Sequence, residues 1–324
     1  SRTSCSLGLV QLSVCLSVVP RNIQPTNMKT RHPFLRNKVE IPKGKEMDVQ
    51  NIRNWLVHQP HLPKLTDEHI LMFLHSCYYS GERTKETIDN YYTVRAQCMD
   101  LFGGRDWSKL KELWKTMYVM APLPKSTPEG YRILLYRLAD SDPGKLNFQD
   151  CLVNFFAYND VRISEDGLTE GYIVLFDMKG CSLGHLARVS TCMNLVRKFM
   201  IYIQDCHPVR LKGVHVINTA SFIDSCLALV KPFMQSGLIQ LVHLHSDLST
   251  LEKFFPLELM PTDYGGMAPD TLSLHEDHIQ LVSKHYKDWL KDSEKITADL
   301  KKRVTKPKNQ IIELEGSFKT LEID

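Results

Sequence analysis

The stretch GVHVINTASFIDSCLALVKPFMQSGLIQLVHLH, residues 213–245, decides the fold of this chain. Residues 213–218 have the β-branched composition of a strand, residues 219–236 have helical spacing, and residues 238–245 predict a second strand. A strand, a helix and a strand in so short a stretch predict a βαβ crossover. Its two strands are therefore expected to run parallel, as neighbours or near neighbours.

The helix of this crossover carries apolar side chains along one side, at helical spacing. They are Phe222, Ile223, Leu227, Val230, Phe233 and Met234. Periodicity alone favours simple packing of this side against the sheet. The alternative is that it forms one wall of an apolar cavity, with the helix as its lid.

The composition limits the classes of protein to consider. A chain of 324 residues fits two domains, or one large domain with a smaller one appended. Its hydrophobic fraction of 43% and charged fraction of 24% are ordinary for a soluble globular protein. A net charge of +3 is too small to indicate a nucleic-acid partner. Nine cysteines without a CxxC pair indicate reduced thiols and a cytoplasmic protein.

The N-terminal segment is not expected to belong to the fold. The apolar run Leu7 to Val19 has the length of a signal-peptide core but is too short to span a bilayer. Met28 begins a plausible start, so residues 1–27 are interpreted as an upstream extension, with a secretory signal as the alternative. Residues 28–45 are basic and contain proline. Residues 1–45 are therefore predicted to be a disordered or appended arm.

Residues 46–124 are predicted to form a small all-α domain. Helices are expected from Glu46, from Glu68 with Thr66 or Asp67 as its cap, near Thr84, and over residues 107–117. Two prolines end the first helix, and the domain ends near Pro122.

Residues 125–290 have a different pattern, in which strands alternate with helices. Strands are predicted at residues 131–138 and 171–177 besides the two of the crossover, and helices at residues 147–162, 184–206, 248–255 and 275–304. Four strands alternating with helices predict a predominantly parallel α/β sheet behind an all-α cap. Residues 291–324 are predicted to be the end of the last helix and a solvated, lysine-rich tail.

A G-x-S-x-G motif at residues 180–184 suggests a serine hydrolase, because Ser182 lies between a strand and a helix. Candidate partners follow in the order of a catalytic triad: Asp205, Asp224 or Asp247, and then His275, His278 or His285. Against this reading, Asp177-Met-Lys intervenes between the apolar run of the strand and the motif, so Ser182 would not lie at the tip of the strand, and no oxyanion-hole segment precedes it. A glycine-bounded loop with a solvated serine is favoured, and the hydrolase is kept as an alternative.

Two further groups of polar residues were weighed as sites. His243 and His245 share one face of a strand, but a metal would need a third ligand, so hydrogen bonds to the backbone are predicted instead and no metal. Arg210 and Lys212 could contact a phosphate, although taken alone they indicate surface charge. Neither a Walker loop nor G-x-G-x-x-G is present, which argues against a nucleotide cofactor.

Five motifs in order resemble the CRAL-TRIO lipid-binding family, of the α-tocopherol transfer protein and cellular retinaldehyde-binding protein type. They are Phe176-Asp177-x-x-Gly180, Pro208-Val-Arg-Leu-Lys-Gly213-x-His-x-Ile-Asn218, Lys231-Pro-Phe233, His243-x-His245 and Pro261-x-x-Tyr264-Gly-Gly266. The helical segment from Thr66 through Tyr92 is similar to the family's N-terminal domain in its arthropod form. The resemblance covers about residues 46–290 and assigns the G-x-S-x-G segment to a turn.

The resemblance implies an α/β fold in which a mostly parallel sheet is the floor of an apolar cavity, closed by a gate helix. It also implies the lining: Phe155, Tyr158, Leu175, Met193, Val196, Met200, Phe222, Ile223, Leu227 and Val230. The implied function is a cytosolic, monomeric carrier without a catalytic step. Its cargo would be a tocopherol, retinoid, carotenoid, other terpenoid or long-chain lipid, exchanged at a membrane surface.

The resemblance further implies that Arg210 and Lys212 contact phosphoinositide headgroups beside the gate. Three positions that are cationic in the tocopherol carrier are here Gly237, Ile239 and Leu241. Arginines of the family's N-terminal segment correspond to His75 and Cys77. The headgroup site is therefore depleted of cations, and phosphoinositide-triggered exchange would need other ones. A phosphoinositide-binding trafficking adaptor is the alternative within the family.

Overall fold

The computed structural model describes residues 39–305. The predictions for most of the N-terminal arm, and for the tail including Lys306 and Lys308, lie outside the described residues.

The N-terminal part consists of helices packed around one apolar core. They are α1 (Glu46–Val57), α2 (Asp67–Ser76), α3 (Gly81–Gln97), α4 (Met99–Phe102) and α5 (Trp107–Thr116). Val49 and Ile52 are the buried residues of α1, and Thr66 caps α2 by accepting from the backbone N–H of His69. The predicted helices are therefore present. Their core continues into the second part of the chain, where it includes Phe156 and Tyr202.

The second part is built on one five-stranded sheet. Its strands are β1 (Tyr118–Pro122), β2 (Tyr131–Leu138), β3 (Gly171–Asp177), β4 (Leu211–Ile217) and β5 (Val242–His245), in the spatial order of the sequence. β1 pairs antiparallel with β2, and the other neighbours are parallel. β4 and β5 are direct parallel neighbours, with Val214 opposite Val242. The predicted crossover is thus confirmed.

The first strand was missed by the sequence analysis. β1 follows α5 almost at once, so its short apolar run could be taken for the end of that helix. The predicted all-α domain of residues 46–124 therefore ends in a strand of the sheet, and the sheet has five strands where four were predicted.

The helices of the second part are shorter than predicted, except that the helix predicted over residues 147–162 extends to Asp166. They are α6 (Phe148–Asp166), α7 (Leu183–Ser190), α8 (Met193–Asp205), α9 (Ile223–Val230), α10 (Ser236–Ile239), α11 (Thr271–His285) and α12 (Lys287–Ser293). Short 3-10 helices occupy Pro143–Lys145, Lys231–Phe233, Leu248–Lys253, Leu257–Leu259, Thr262–Tyr264 and Leu300–Lys302.

Three long predicted helices are each broken, and two of the breaks have clear causes. The helix predicted over residues 184–206 divides near Thr191. The Thr191 hydroxyl donates to the Arg188 carbonyl, which a continuous helix would use for a backbone hydrogen bond. The crossover helix ends at Val230, because Pro232 cannot supply the next backbone N–H. Leu238, predicted to begin a strand, lies in α10. The helix predicted over residues 275–304 is α11, α12 and a 3-10 turn.

The sheet is covered on both faces. On its back face, apolar residues of β2, β3 and β4 pack against the 3-10 helices after β5 and against α11. The strand residues are Ile133, Leu135, Ile173, Leu175 and Ile217. The front face is turned toward α6, α8 and α9, and the candidate site lies there.

Three motif residues meet at the carboxyl end of β3. The Asp177 carboxylate accepts from Asn218 Nδ2 at 2.9 Å, from the Lys179 backbone N–H at 2.8 Å and from the Tyr264 hydroxyl. Asn218 has a φ of 50°, a left-handed conformation that asparagine tolerates better than most residues. These motif residues therefore fix the end of the sheet.

Candidate functional site

The front face of the sheet and the helices above it enclose a cavity of about 270 Å³. Its wall is lined by Leu134, Phe155, Asn159, Ile163, Tyr172, Val174, Phe176, Phe199, Met200, Ile203, His207, Val209, Leu211, Val214, Val216, Leu227, Val230, Met234, Leu238 and Val242. Apart from three residues, this wall is made of aliphatic side chains, methionine and phenylalanine.

Two of the three polar wall residues are already hydrogen-bonded within the protein. Asn159 Nδ2 donates to the carbonyl of Phe155 at 2.7 Å, and its Oδ1 accepts from the Tyr136 hydroxyl at 3.2 Å. The Tyr172 hydroxyl donates to the Asp166 carboxylate at 3.2 Å. These groups need no partner from a ligand, so the cavity suits an apolar guest.

The third polar wall residue, His207, is neutral. Burial lowers its pKa to about 4. Its Nδ1 has no hydrogen-bond partner among the described residues.

A bulge shapes the floor of the cavity. Tyr172 of β3 pairs with Leu211 and the next residue pairs with Gly213, so Lys212 is an extra residue in β4. The bulge places Leu211 on the same face as Val214, although three positions separate them. Simple alternation along the strand would not have predicted this.

Four of the predicted lining residues border the cavity: Phe155, Met200, Leu227 and Val230. Their part in binding a ligand stays a prediction. Leu175 does not border it, because side chains alternate along β3 and Leu175 lies in the core behind the sheet.

Tyr158 also lies away from the cavity. It is fully buried, with its ring against Trp114 and His278 at centroid distances of 6.2 and 4.6 Å. The cavity side of α6 carries Asn159 and Ile163 instead. They lie four and eight residues after Phe155, on the same side of the helix, so both could have been predicted from the sequence.

The remaining four predicted residues lie beyond the ends of the cavity. Val196 is buried and Met193 partly buried near the start of α8, whereas the cavity reaches only the later residues of that helix. Phe222 and Ile223 are partly exposed at the start of α9 and do not line the wall.

Residues 223–239, comprising α9, the 3-10 turn and α10, are called the cover segment below. No residue of this segment is fully buried. Leu227 and Met234 border both the cavity and a groove on the outer side, as does Val242 of β5. The cover is therefore only one layer of side chains thick at these points. Met234 lies on the helix side that the sequence offered as a cavity wall, although the lining implied by the resemblance leaves it out. Leu238 was missed as a lining residue because it was predicted to begin a strand.

The outer groove has a mixed character. Its apolar wall includes Ile239 and Leu244, which are 40% and 42% exposed, and its polar wall includes Asp224 and Lys231. A surface of exposed apolar side chains near charged ones is typical of an interaction site.

Both predicted headgroup cations are engaged by protein groups. Arg210 Nε donates to the His75 carbonyl at 2.7 Å, and its guanidinium is 3.1 Å from Glu170 and stacks over the Tyr78 ring. Lys212 Nζ donates to the Tyr78 hydroxyl at 2.9 Å. Both side chains thus join the sheet to the end of α2.

Arg210 also borders a groove between the N-terminal helices and the cover segment. Cys77, Gly237 and Leu241 line this groove and Arg83 supplies a second cation, whereas His75 and Ile239 are not part of its wall.

Ser182 has a structural role in the described fold. It is the N-cap of α7 in extended backbone conformation, with a φ of −138°, and its hydroxyl is 2.9 Å from His185 Nδ1 in a capping box. His275, a predicted triad partner, instead bonds the backbone of Met120 and of Trp114. The geometry does not reproduce the strained turn of a hydrolase nucleophile.

Three histidines stack behind β4 and β5. His215 Nδ1 is 2.9 Å from His245 Nε2, and His245 Nδ1 is 2.6 Å from the Thr250 hydroxyl. His243 stacks on His215 with ring centroids 5.0 Å apart. His245 therefore bonds side chains where bonds to the backbone were predicted, and His243 packs against the rings of His215 and Phe254. Among the residues that the structure describes, no group of His, Cys, Asp or Glu is arranged to hold a metal ion.

We expect acid to destabilise the fold through its buried histidines. Burial, together with the neighbouring imidazoles, lowers the pKa of His215 to about 3, and burial lowers that of His278 well below its usual value. Both stay neutral in the folded protein, whereas the unfolded chain binds protons below about pH 6.5. The free energy of unfolding should therefore fall by about 1.4 kcal/mol per pH unit for each such histidine as the pH drops from about 6.5. Urea unfolding at several pH values measures this slope.

In the His215→Gln variant, the free energy of unfolding should depend less on pH, by the contribution of one histidine. The matched variant His58→Gln changes an exposed histidine and should keep the wild-type slope. An unchanged slope in His215→Gln would contradict the assignment.

Fold and cavity define a class: α/β proteins in which a mostly parallel sheet and a helical cover enclose an apolar cavity. Residues 116–266 match the model of the CRAL/TRIO domain, and residues 41–112 match that of a Pinta-like UBA domain. Residues 116–266 are thus a CRAL/TRIO domain, and the predicted resemblance to that family is confirmed.

Several known proteins are similar to this chain. The alpha-tocopherol transfer protein-like protein of Homo sapiens is 27% identical over 257 residues, covering 78% of this chain and 74% of the relative. Clavesin-2 of Mus musculus is 22% identical over 236 residues, covering 71% of each chain. The crystal structure of Sfh5 matches 76% of this chain and 98% of its own, at 10% identity and a TM-score of 0.48. Within residues 39–305, no helix is long and apolar enough to cross a bilayer.

Proposed function

We propose that this chain is a cytosolic, non-enzymatic carrier that binds a hydrophobic small molecule in its cavity and exchanges it at membranes. The observation that carries the proposal is a cavity whose aliphatic and aromatic wall lies beneath a cover one side chain thick. The CRAL/TRIO domain, and the relatives named for tocopherol transfer, support a lipid or terpenoid as the cargo.

The apolar wall supplies the affinity. Burying hydrocarbon contributes roughly 0.8 kcal/mol for each methylene group, so a long apolar ligand leaves the cavity slowly into water. Release then requires an environment that accepts both the ligand and the inner side of the cover segment.

We propose that the cover segment is the gate and that a bilayer opens it. The segment has no fully buried residue, so moving it disrupts little of the core. On its outer side, Ile239 and the neighbouring Leu244 expose apolar surface that acyl chains would cover. Leu227 and Val230 would meet lipid instead of water when the segment swings out.

Extraction of the purified protein tests the carrier proposal. Protein purified without detergent should yield a stoichiometric hydrophobic compound on organic extraction and mass spectrometry. Protein stripped of lipid should take up such a compound from vesicles. If the stripped protein takes up no lipid, tocopherol, retinoid or carotenoid, the proposal is wrong. Ester turnover that is abolished by Ser182→Ala would favour the hydrolase alternative.

The headgroup role of Arg210 and Lys212 remains a proposal. It is supported by Arg210 in the wall of the groove at the cover segment, and by the bond from Lys212 to Tyr78, another residue of that wall. Each basic residue near an anionic membrane contributes about 1 kcal/mol to binding. The double variant Arg210→Ala with Lys212→Ala should therefore weaken binding to phosphoinositide vesicles while ligand uptake stays intact. Equal binding by both proteins would remove the headgroup role.

A further inference from the structure

We propose that the cavity continues past Phe155 and Phe176 into a second apolar chamber, which takes the far end of a long, unbranched hydrocarbon ligand. The proposal rests on the carrier function proposed above. It adds a second part of the binding site and a class of cargo, a ligand too long for the first cavity.

The second chamber lies among β1, β2, β3 and α6 and has a volume of about 220 Å³, close to that of the first. Met120, Leu138, Cys151 and Cys181 are among the residues that line it. Two charged residues, Arg137 and Asp177, also line it, and their charged groups contact Asp263 and Tyr264. None of its lining residues comes from the cover segment. A ligand that enters under the cover segment would thus reach this chamber with its far end.

The partition between the two chambers is made of side chains. Phe155 and Phe176 line both, and their rings lie nearly parallel with centroids 6.5 Å apart. Both residues are only partly buried, since each borders open space on two sides. Their rings can therefore turn without displacing packed neighbours on every side, whereas a backbone partition could not yield in this way.

Tyr136 marks the boundary between the ring pair and the second chamber. Its ring contacts Phe155 at 5.2 Å and Phe176 at 5.3 Å between centroids, while its hydroxyl is bonded to Asn159. This bond holds Tyr136 in place, so movement of the partition is left to the two phenylalanines.

The thiols of the second chamber act as apolar groups. Burial raises the pKa of Cys151 to about 12 and that of Cys181 to about 11, so both are neutral near pH 7. A neutral thiol behaves as a small hydrophobic group. The chamber therefore accepts a hydrocarbon end.

The first cavity is small for a long ligand, and this is why the second chamber would be needed. Ligand pockets usually measure about 300–1,000 Å³, and the first cavity alone, at about 270 Å³, is slightly smaller than that range. A short ligand would fill it, and a longer chain would have to bend or displace the partition. The two-chamber arrangement therefore predicts a preference for extended chains.

A homologous series of straight-chain primary alcohols tests this. Each added methylene group should tighten the dissociation constant about fourfold for as long as it enters apolar space. The constants are measured by displacement of a fluorescent fatty acid from the stripped, full-length protein. In Cys181→Phe the added ring fills the second chamber, so the affinity should stop rising at a certain chain length. The affinity of wild type should continue to rise beyond that length.

The matched control is Cys192→Phe, the same change outside both chambers; it should follow wild type. If wild type and Cys181→Phe stop gaining at the same chain length, the second chamber is not used, although the carrier function would stand. If wild type binds neither the alcohols nor the fluorescent fatty acid, and takes up no lipid, tocopherol, retinoid or carotenoid from vesicles, the carrier function itself fails.

A second variant covers the case in which Cys181→Phe does not fold. Phe176→Leu thins the partition and should strengthen binding of the longest alcohols several-fold relative to the shortest. An equal change for long and short chains would overturn the proposal.

Discussion

Replacing Asp160 by asparagine should lower the free energy of unfolding by about 3–5 kcal/mol, because the change leaves two buried arginines without their shared counter-ion. Asp160 accepts from Arg95 at 2.7 Å and from Arg105 at 2.6 Å, and all three side chains are buried. Burial alone would raise the pKa of Asp160, but the two guanidinium groups hold it well below its usual range.

This cluster also joins the two parts of the chain. Arg95 belongs to α3 and Asp160 to α6, while Arg105 donates to Ser293 of α12 at 3.3 Å. Loss of the carboxylate should therefore loosen the N-terminal helices from the sheet as well as lower global stability. Urea unfolding monitored by circular dichroism measures the change in free energy.

The matched control lies on the same helix. Asp150, at the start of α6, pairs with Lys109 at the surface at 2.8 Å. Asp150→Asn should cost less than about 1 kcal/mol, because exposed pairs contribute little. Similar losses of unfolding free energy in Asp160→Asn and Asp150→Asn would show that the two buried arginines are not the reason why Asp160 stabilises the fold.

The crossover could be predicted because its signal is local. Two apolar strands joined by one helix are expected to pair in parallel, and β4 and β5 do so. The family motifs were equally informative about fold, since Asp177, Asn218 and Tyr264 together fix the end of the sheet. None of the three lines the first cavity, so the motifs that identify the fold carry little information about the ligand.

The cavity wall could be predicted only in part, because the elements around it are apolar on several sides. β3 is covered on both faces, so the sequence does not distinguish Leu175 behind the sheet from Val174 in front. α6 buries residues all round, so Tyr158 and Asn159 were equally plausible from periodicity. The bulge at Lys212 changes alternation in β4 and has no sequence signal of its own.

Replacing Val230 by glutamate should weaken ligand binding by at least about a hundredfold. A carboxylate facing hydrocarbon must either remain charged in an apolar site or take up a proton, and both cost free energy. Val230 lines the inner cavity and not the outer groove. Because no residue of α9 is fully buried, the fold should tolerate the change. Uptake of ligand by the stripped protein, with urea unfolding as the check on folding, measures the effect.

Ala228→Glu is the matched control, since it places the same charge on the same helix at an exposed position in the outer groove. It should bind ligand like wild type and slow transfer only where an anionic membrane repels the added carboxylate. The pair therefore separates the two sides of the cover segment: the inner side sets affinity, and the outer side sets the rate of exchange at membranes. Wild-type binding by Val230→Glu would mean that the ligand does not occupy this cavity.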